Sequence, residues 1–308
     1  MTKKSFLFTK AEQVLALCKK NKMRISDIAI RYEMEISQRT EKEVWEKMQK
    51  VANIMREAIQ NGIKNPKKSI STMSGGDAQR VQKYLNQWGK KSASKKFTPY
   101  NNELGIRAMM YAIATGETNA CMGRIAAFPT AGGAGVIPGV IMSITEVLKM
   151  SEEETLRGLF AASVIGVIIA ENATLSAAAA GCQAEVGAAN SCAAAAAVEM
   201  KKGTPQQAMH AAAMAMKSSL GLVCDPLGGL VEVPCIKRNA LGSQHALGAA
   251  DLALAGVESF IPFDEVVETM YEIGKIMSPR LRETALGGLA TTKTGMMIKK
   301  KMGLPVIQ

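Results

Sequence analysis

The residues best suited to chemistry lie in one unusual stretch, GLVCDPLGGLVEVPCIKRNALGS, at positions 221–243. This stretch interrupts an Ala-rich chain with Pro, Gly and β-branched residues, and it carries Cys224 and Cys235. A proline close to each cysteine stiffens the backbone, which favours a fixed ligand over a packing side chain. Cys182, which lies between a glycine and a glutamine, is the third cysteine of this kind. The three thiols are therefore a candidate metal site.

Spacing alone leaves this interpretation open, and a packing role for the same three cysteines is the alternative. A structural zinc site usually contains a short C-x₂₋₄-C element, and the sequence has none. The two histidines of the chain, His210 and His245, are too few for a histidine-rich zinc site.

The other three cysteines, Cys18, Cys121 and Cys192, lie in apolar or Ala-rich patterns of helical period. We expect them to pack as small hydrophobic side chains inside helices. The N-terminus lacks the apolar stretch of a secretory signal. We therefore expect a cytoplasmic location and no disulfides.

Charge is unevenly distributed along the 308 residues, which carry a formal net charge of +11. Residues 1–110 contain 23 Lys and Arg against 10 Asp and Glu, whereas the remainder is slightly acidic. The basic residues are mixed with Glu and are not interleaved with aromatics, so an acidic protein partner is favoured over nucleic acid. The most apolar run, 158–170, is too short to span a bilayer and indicates a buried helix, with no membrane partner.

Helical patterns occupy most of the chain. Thr9 is expected to cap a first helix, and Thr40 with Glu43 forms a capping box for another. Thr204 followed by Pro205 predicts a third helix start. Small-residue helices are expected at 151–170, 173–200 and 204–220, an amphipathic one begins near 263, and a strand pattern occurs only at 228–236.

The pattern predicts an all-α fold, a helical globular catalytic domain whose irregular loops carry the function. The expected loops are 74–78, 129–139, 171–187 and 221–243. The glycine-rich 129–139 segment offers backbone N–H groups to an anion, although it matches neither phosphate-binding motif. A tight turn between helices is the alternative for that segment.

These motifs together resemble the α-subunit of the iron–sulfur-dependent L-serine dehydratases. The resemblance covers essentially the whole chain, through SGGDA, PTAGGAGVIPG, GCQAEVG, GLVCDPLGGLVEVPCIKRNA and RETALGGLA. It implies one domain over residues 1–308, with a basic helical part at about 1–100 and a cluster-binding part at about 101–308.

The resemblance also implies a [4Fe–4S] cluster with three ligands, Cys182, Cys224 and Cys235. Three ligands leave one iron open to act as a Lewis acid on the hydroxyl of L-serine. Loss of the Cα proton and the hydroxyl gives water and aminoacrylate, which becomes an imine that hydrolyses to pyruvate and ammonia, a step of amino-acid degradation that feeds gluconeogenesis.

Matches to the family imply a serine pocket built from several loops, and they leave the catalytic base unidentified. Lys237 and His245 are candidates for a catalytic role. Arg238 either assists the substrate or only neutralises the cluster. The implied substrate-binding residues are Ser74, Gly75, Gly76, Asp77, Thr130, Ala131, Gly132, Gly133, Asn172, Thr174, Ser176 and Asn239.

Single-chain relatives carry a second region that is missing here, so the resemblance implies a separate β-subunit in contact with the basic part. Three alternatives remain. A cluster-dependent L-cysteine desulfidase would differ only in substrate, and a pyridoxal-phosphate dehydratase would need an α/β fold that the sequence does not predict. A basic scaffold or nucleic-acid binder would leave the three cysteines unexplained.

Overall fold

The computed structural model describes residues 5–88 and 98–303. Residues 1–4, 89–97 and 304–308 of the expected single domain lie outside the described residues. The described part contains α-helices and short 3₁₀ and π turns but no strand, which confirms the all-α prediction, and segment 228–236 forms no strand. The α-helices are α1 (Ala11–Asn21), α2 (Ile25–Ser37), α3 (Glu41–Lys64), α4 (Asp77–Trp88), α5 (Glu103–Ala120), α6 (Val136–Val147), α7 (Glu152–Asn172), α8 (Ala177–Ala180), α9 (Ala188–Met200), α10 (Pro205–Lys217), α11 (Cys235–Leu254), α12 (Phe263–Ile276) and α13 (Lys293–Lys301).

Two of the predicted helix starts are confirmed. At α3, the Glu43 N–H donates to Thr40 Oγ1 over 3.3 Å and the Thr40 N–H donates to Glu43 Oε2 over 2.8 Å. At α10, Thr204 and Gln207 form the same reciprocal pair over 3.2 and 2.9 Å, with Pro205 as the first helical residue. Each pair satisfies two backbone groups that a helix end would otherwise leave without partners.

The predicted cap at Thr9 is wrong, because α1 begins two residues later. The Thr9 N–H donates to the Gln13 side chain over 2.7 Å. The first N–H groups of α1, at Ala11 and Glu12, donate instead to the carboxylate of Asp264 over 2.7 and 3.1 Å. A carboxylate at the start of α12 therefore caps α1, and only the tertiary fold brings it there.

Helix α9 forms the centre of the molecule, and all thirteen of its residues are buried. It packs against α6, α7, α10 and α11. Its run of alanines allows these four helices to approach closely, which explains a core with few aromatic residues. The apolar run 158–170 lies inside the largely buried α7, as predicted, and none of the described helices is long and apolar enough to cross a membrane.

The N-terminal helices are attached to this core through a buried carboxylate on α9. Glu199 is 2% exposed and accepts a hydrogen bond from Ser26 Oγ over 2.6 Å. Arg24 Nε lies 2.8 Å from the same carboxylate, and its guanidinium also binds Glu154 of α7. Burial raises the pKa of Glu199, although the contacts with Ser26 and Arg24 lower it. One polar network therefore fixes α2 against α7 and α9.

The small-residue stretch 173–200, which overlaps the loop expected at 171–187, is three elements. Helix α8 ends at Ala180, Gly181 adopts a left-handed φ of 74°, and a π-helix over Gln183–Gly187 leads into α9. Cys182 lies in the break between α8 and the π-helix. A glycine is required there because few L-residues adopt a positive φ without strain.

Candidate active site

The break at Cys182 lies directly against the beginning of the 221–243 stretch. The Gln183 N–H donates to the Leu222 carbonyl over 3.0 Å, and the Gly221 N–H donates to Gln183 Oε1 over 2.9 Å. The buried Gln183 thus links the two segments that carry Cys182 and Cys224. Residues 42 positions apart in sequence are placed side by side.

Cys235 is the first residue of α11, so the second half of the 221–243 stretch is a helix and not the expected loop. The Leu227 N–H donates to the Val233 carbonyl over 2.9 Å and closes the short loop between the two cysteines. This hydrogen bond brings the chain back on itself, and Cys224 and Cys235 are both buried within the same region.

Arg238, one turn into α11, joins these segments. Its Nη1 donates to the Val223 carbonyl over 2.9 Å and lies 3.8 Å from Cys182 Sγ. The same nitrogen lies 2.9 Å from Asp225 Oδ1 in an ion pair that is almost fully buried on the aspartate side. A part-buried guanidinium next to a thiol stabilises the thiolate form, which is the form that binds metal.

The three thiols influence one another's ionisation. The neighbouring Cys224 thiol, and then the Arg238 guanidinium, lower the pKa of Cys182 despite its burial. The contact with Cys182, together with burial, raises the pKa of Cys224. Burial, followed by the charge on Cys182, raises the pKa of Cys235 to about 12. Three buried thiols that oppose one another's ionisation need additional positive charge to ionise together.

The donor chemistry of this group fits an iron–sulfur cluster, because such clusters are held by cysteine thiolates. Three thiols from separate segments, together with the part-buried Arg238, offer candidate ligands and a counter-charge. Among the side chains of residues 5–88 and 98–303, no three His, Cys, Asp or Glu are arranged to hold a single metal ion.

The three other cysteines divide into two kinds. Cys18 and Cys192 are buried in α1 and α9, and burial raises the pKa of both, so the predicted packing role is confirmed for them. For Cys121 the prediction is wrong. It follows the last residue of α5, is only half-buried, and donates through Sγ to the Lys67 carbonyl over 3.3 Å.

The glycine-rich loop is held against the thiol region by Asn239. Because α6 begins at Val136, this loop is shorter than the expected 129–139. The buried Asn239 side chain donates to the carbonyls of Gly132 and Cys235 over 2.7 and 2.9 Å and accepts from the Gly135 N–H over 2.9 Å. Both N–H donors of the amide are used and its oxygen accepts one hydrogen bond, so Asn239, expected to bind substrate, supports the loop that lies beside it.

Glu185 is a second support for this loop, and sequence reasoning missed it. A Cβ atom at Gly132 would collide with the Glu185 carboxylate, which would have to move to admit a larger residue. Burial raises the pKa of Glu185, whereas the Thr130 hydroxyl and the Gly132 N–H lower it. One sequence feature could have indicated its importance: Glu185 is the single charged residue between positions 172 and 198.

The backbone donors of the SGGDA segment already have a partner. Glu117 of α5, which is 3% exposed, accepts from the N–H groups of Gly75, Asp77 and Ala78 over 3.1, 2.7 and 3.3 Å. The amides of Gly75 and Asp77 therefore bind a protein carboxylate and not an external one. The Ser74 hydroxyl is buried and has no hydrogen-bond partner within the described residues.

The Asp77 side chain reaches the thiol-bearing helix α11. Lys237 Nζ donates to Asp77 Oδ2 over 2.6 Å. Burial alone would raise the pKa of Asp77, but Lys237 and Arg80 together lower it below its usual value. The SGGDA segment and the residues after Cys235 are thus adjacent, and Lys237, a catalytic candidate, is engaged in an ion pair.

The remaining candidates lie elsewhere. Asn172 ends α7, and its amide donates to the carbonyls of Thr9 and Ile168 over 2.6 and 2.8 Å. Thr174 Oγ1 accepts from the Ser176 N–H in the turn before α8. Within the described residues, the hydrogen bonds of these side chains reach neither the thiols nor the glycine-rich loop. His245 is exposed on α11, ten residues beyond Cys235 and so about 15 Å along the helix axis.

A small cavity opens between the glycine-rich loop, α5 and Cys235. Its volume is about 10 Å³, which is room for one water molecule. Thr115 and Asn119 of α5 line it together with Ala131, Gly132, Cys235 and Asn239. A much larger groove of about 670 Å³ runs between α5 and α11, but it contains none of the candidate residues.

The fold and this site together define a class of protein, an all-helical chain with a buried thiol group beside a glycine-rich loop. A sequence model of the serine dehydratase alpha chain matches residues 20–290. The chain belongs to the serine dehydratase alpha chain family, which confirms the family suggested by the sequence motifs.

Individual relatives agree. A probable L-serine dehydratase alpha chain of Bacillus subtilis (strain 168) is 45% identical over 296 residues, which cover 96% of this chain and 95% of the relative. The L-serine dehydratase alpha chain of Peptoniphilus asaccharolyticus is 40% identical, with 94% and 96% covered. The L-serine dehydratase of Streptomyces coelicolor is 36% identical over 92% of this chain, but that match covers only 60% of the relative.

Proposed function

We propose that this chain is the α-subunit of an iron–sulfur L-serine dehydratase that converts L-serine to pyruvate and ammonia. The observation that carries the proposal is the group formed by Cys182, Cys224 and Cys235, three buried thiols from separate segments beside Arg238. The names of the relatives indicate the substrate, and the thiols supply the reason for a metal-dependent reaction.

The three thiolates would hold a [4Fe–4S] cluster, and Arg238 would offset part of their negative charge. When bound, such a cluster with one open iron supplies a Lewis acid for the hydroxyl of serine. We place the amino acid at the small cavity beside Cys235, which Thr115 and Asn119 of α5 also line. The cavity has room for one water molecule, so it must widen to admit serine.

The protein contribution is mainly positioning. Asn239 and Glu185 fix the glycine-rich loop, whose remaining N–H groups are directed to the substrate carboxylate in this proposal. Glu117 fixes the SGGDA segment. The Asp77 carboxylate of that segment in turn holds the Lys237 ammonium in the first turn of α11. Elimination removes the Cα proton and the β-hydroxyl as water. The aminoacrylate product tautomerises to an imine, and water hydrolyses that imine to pyruvate and ammonia.

We also propose a separate β-subunit. The matched region covers 60% of the Streptomyces coelicolor relative, which is named without a chain designation, and nearly all of the relatives that are named as alpha chains. A second chain would supply the part that the longer relatives contain. Its contact with the basic residues of the first hundred positions is favoured by charge, and the free thiols suit a reducing, cytoplasmic compartment.

The test is anaerobic reconstitution with iron and sulfide, followed by a pyruvate assay on L-serine with and without a co-expressed β-subunit. The proposal predicts pyruvate only from the reconstituted protein and loss of activity in air. Sulfide released from L-cysteine without any pyruvate from L-serine would replace the dehydratase by the desulfidase alternative. Pyruvate formation without iron would exclude the cluster.

A further inference from the structure

The segment that follows α12 contains the RETALGGLA motif, to which the proposed function assigns no role. We call residues 278–289 the clasp. The clasp begins with a 3₁₀ turn at Pro279–Leu281 and ends in a second 3₁₀ turn that starts at Gly288. It lies against two of the three segments that carry the candidate cluster ligands.

The clasp binds the backbone of Cys224 on both sides. The Cys224 N–H donates to the Leu281 carbonyl over 2.8 Å, and the Glu283 N–H donates to the Cys224 carbonyl over 2.9 Å. Together these bonds form an isolated parallel bridge between Cys224 and Arg282. Both backbone hydrogen-bonding groups of this cysteine are therefore held by the clasp, which fixes the position from which its side chain extends.

The Arg282 side chain reaches the other segment. Its Nη1 donates to the Ala179 carbonyl over 3.1 Å, in the last turn of α8. Cys182 follows only three residues later. The Nε atom of Arg282 is buried and makes no hydrogen bond within the described residues, so the guanidinium is confined by packing as well. A single residue thus spans from the backbone of Cys224 to the turn that leads into Cys182.

The clasp also holds Asp225, the partner of Arg238. The Leu289 N–H donates to Asp225 Oδ2 over 2.8 Å. Gly288, with a φ of 59°, packs so closely that a Cβ there would lie 2.5 Å from the same oxygen. The counter-charge beside Cys182 is consequently positioned by the same segment.

We propose that Arg282 is a positioning residue that sets the spacing between Cys182 and Cys224 through the clasp. The inference rests on the proposed function, because fixed spacing matters only if one rigid group spans both thiols. A cluster has fixed iron–iron distances, and ligands that drift apart release it sooner. Residues that orient metal ligands through hydrogen bonds commonly control metal affinity in this way.

The experiment compares Arg282→Ala with Arg280→Ala in the full chain. Arg280 is a matched control because it lies on the 3₁₀ turn that immediately precedes Arg282, and its guanidinium donates to the Leu286 carbonyl inside the clasp. Both variants are reconstituted anaerobically, and the rate at which iron passes to a chelator is recorded together with the thermal unfolding midpoint of the iron-free protein.

We expect Arg282→Ala to release iron about tenfold or more faster than the wild type, and Arg280→Ala to match the wild type. Arg282→Lys, which keeps one donor for the Ala179 carbonyl, should fall between them. This conservative variant also decides the question if Arg282→Ala does not fold. A release rate in Arg282→Lys equal to that of the wild type would then overturn the inference.

Failure of this inference and failure of the proposed function give different results. Normal iron uptake with unchanged release from Arg282→Ala would overturn the role of Arg282 and leave the proposed function intact. Equal acceleration in Arg280→Ala would also overturn it, since general loosening of the clasp would then explain the effect. A wild-type chain that takes up no iron would refute the proposed function itself, and the inference with it.

Discussion

The side-chain amide of Asn239 donates to the carbonyl of Gly132 over 2.7 Å. This hydrogen bond joins the helix that begins with Cys235 to the glycine-rich loop, although the two are more than a hundred residues apart in sequence. The relative position of the proposed metal ligand Cys235 and the proposed substrate loop therefore depends in part on this buried amide, and the dependence can be measured.

Asn239→Ala should reduce kcat/KM for pyruvate formation by about 10- to 100-fold while leaving the iron content unchanged. The substitution removes two hydrogen bonds to the loop and leaves all three thiols in place. Gln244→Ala is the control, because Gln244 lies on the same helix and its amide also donates to a backbone carbonyl, that of Gly105. An equal loss of activity in the control would contradict a specific role for Asn239.

Glu117→Gln should destabilise the SGGDA segment. A neutral amide has one acceptor oxygen where the carboxylate accepts three N–H groups, so we expect a loss of about 1–3 kcal/mol in the free energy of unfolding. Urea unfolding of both forms measures the difference. Glu103→Gln, at the exposed start of the same helix, should change stability by less than about 0.5 kcal/mol. No difference between the variants would contradict the account of Glu117.

The ion pair between Lys237 and Asp77 makes the pKa of the Asp77 carboxyl depend on Lys237. Because the pKa of Asp77 is lowered by Lys237 and Arg80, its carboxylate stabilises the fold at pH values above its usual pKa. That contribution is lost as the pH falls through the lowered, folded-state value. NMR titration of Asp77 should give a midpoint below 3.8 in the wild type and a higher one in Lys237→Ala. An unchanged midpoint would show that the pair does not form in solution.

Glu199→Ala should be the most destabilising of these changes. It leaves Arg24 and Ser26 without their shared partner in a buried network, and removal of one member of such a network costs about 3–5 kcal/mol. Glu153→Ala removes an exposed partner of Arg157 and should cost less than about 1 kcal/mol. Similar unfolding midpoints for the two variants would argue against Glu199 as the anchor of α2.

Much of the fold could be predicted because local patterns determine it. Thr40 with Glu43 identifies a helix start from four residues, since both partners belong to the same turn. The prediction for Thr9 failed because the true cap of α1, Asp264, is 253 residues away. The end of α5 before Cys121 was missed for a related reason, as a helical pattern does not show where the chain turns toward the Lys67 carbonyl.

The site was predictable to the extent that rare sequence features mark it. Cys182, Cys224 and Cys235 each lie within two residues of a glycine or a proline. All three are buried, and Arg238 Nη1 lies 3.8 Å from Cys182 Sγ. The residues that hold them are ordinary in sequence. Glu117, Glu185 and Arg282 acquire their roles only when distant backbone groups meet them, so a single sequence gives little warning of their importance.

The most direct test of the central claim is the iron and acid-labile sulfide content of the anaerobically reconstituted protein and of two cysteine variants. We predict about four iron atoms per chain in the wild type and in Cys192→Ala, which removes a buried packing thiol from α9. Cys224→Ala should hold no stable cluster and should form no pyruvate from L-serine. Full iron content and activity in Cys224→Ala would contradict the three-thiol site.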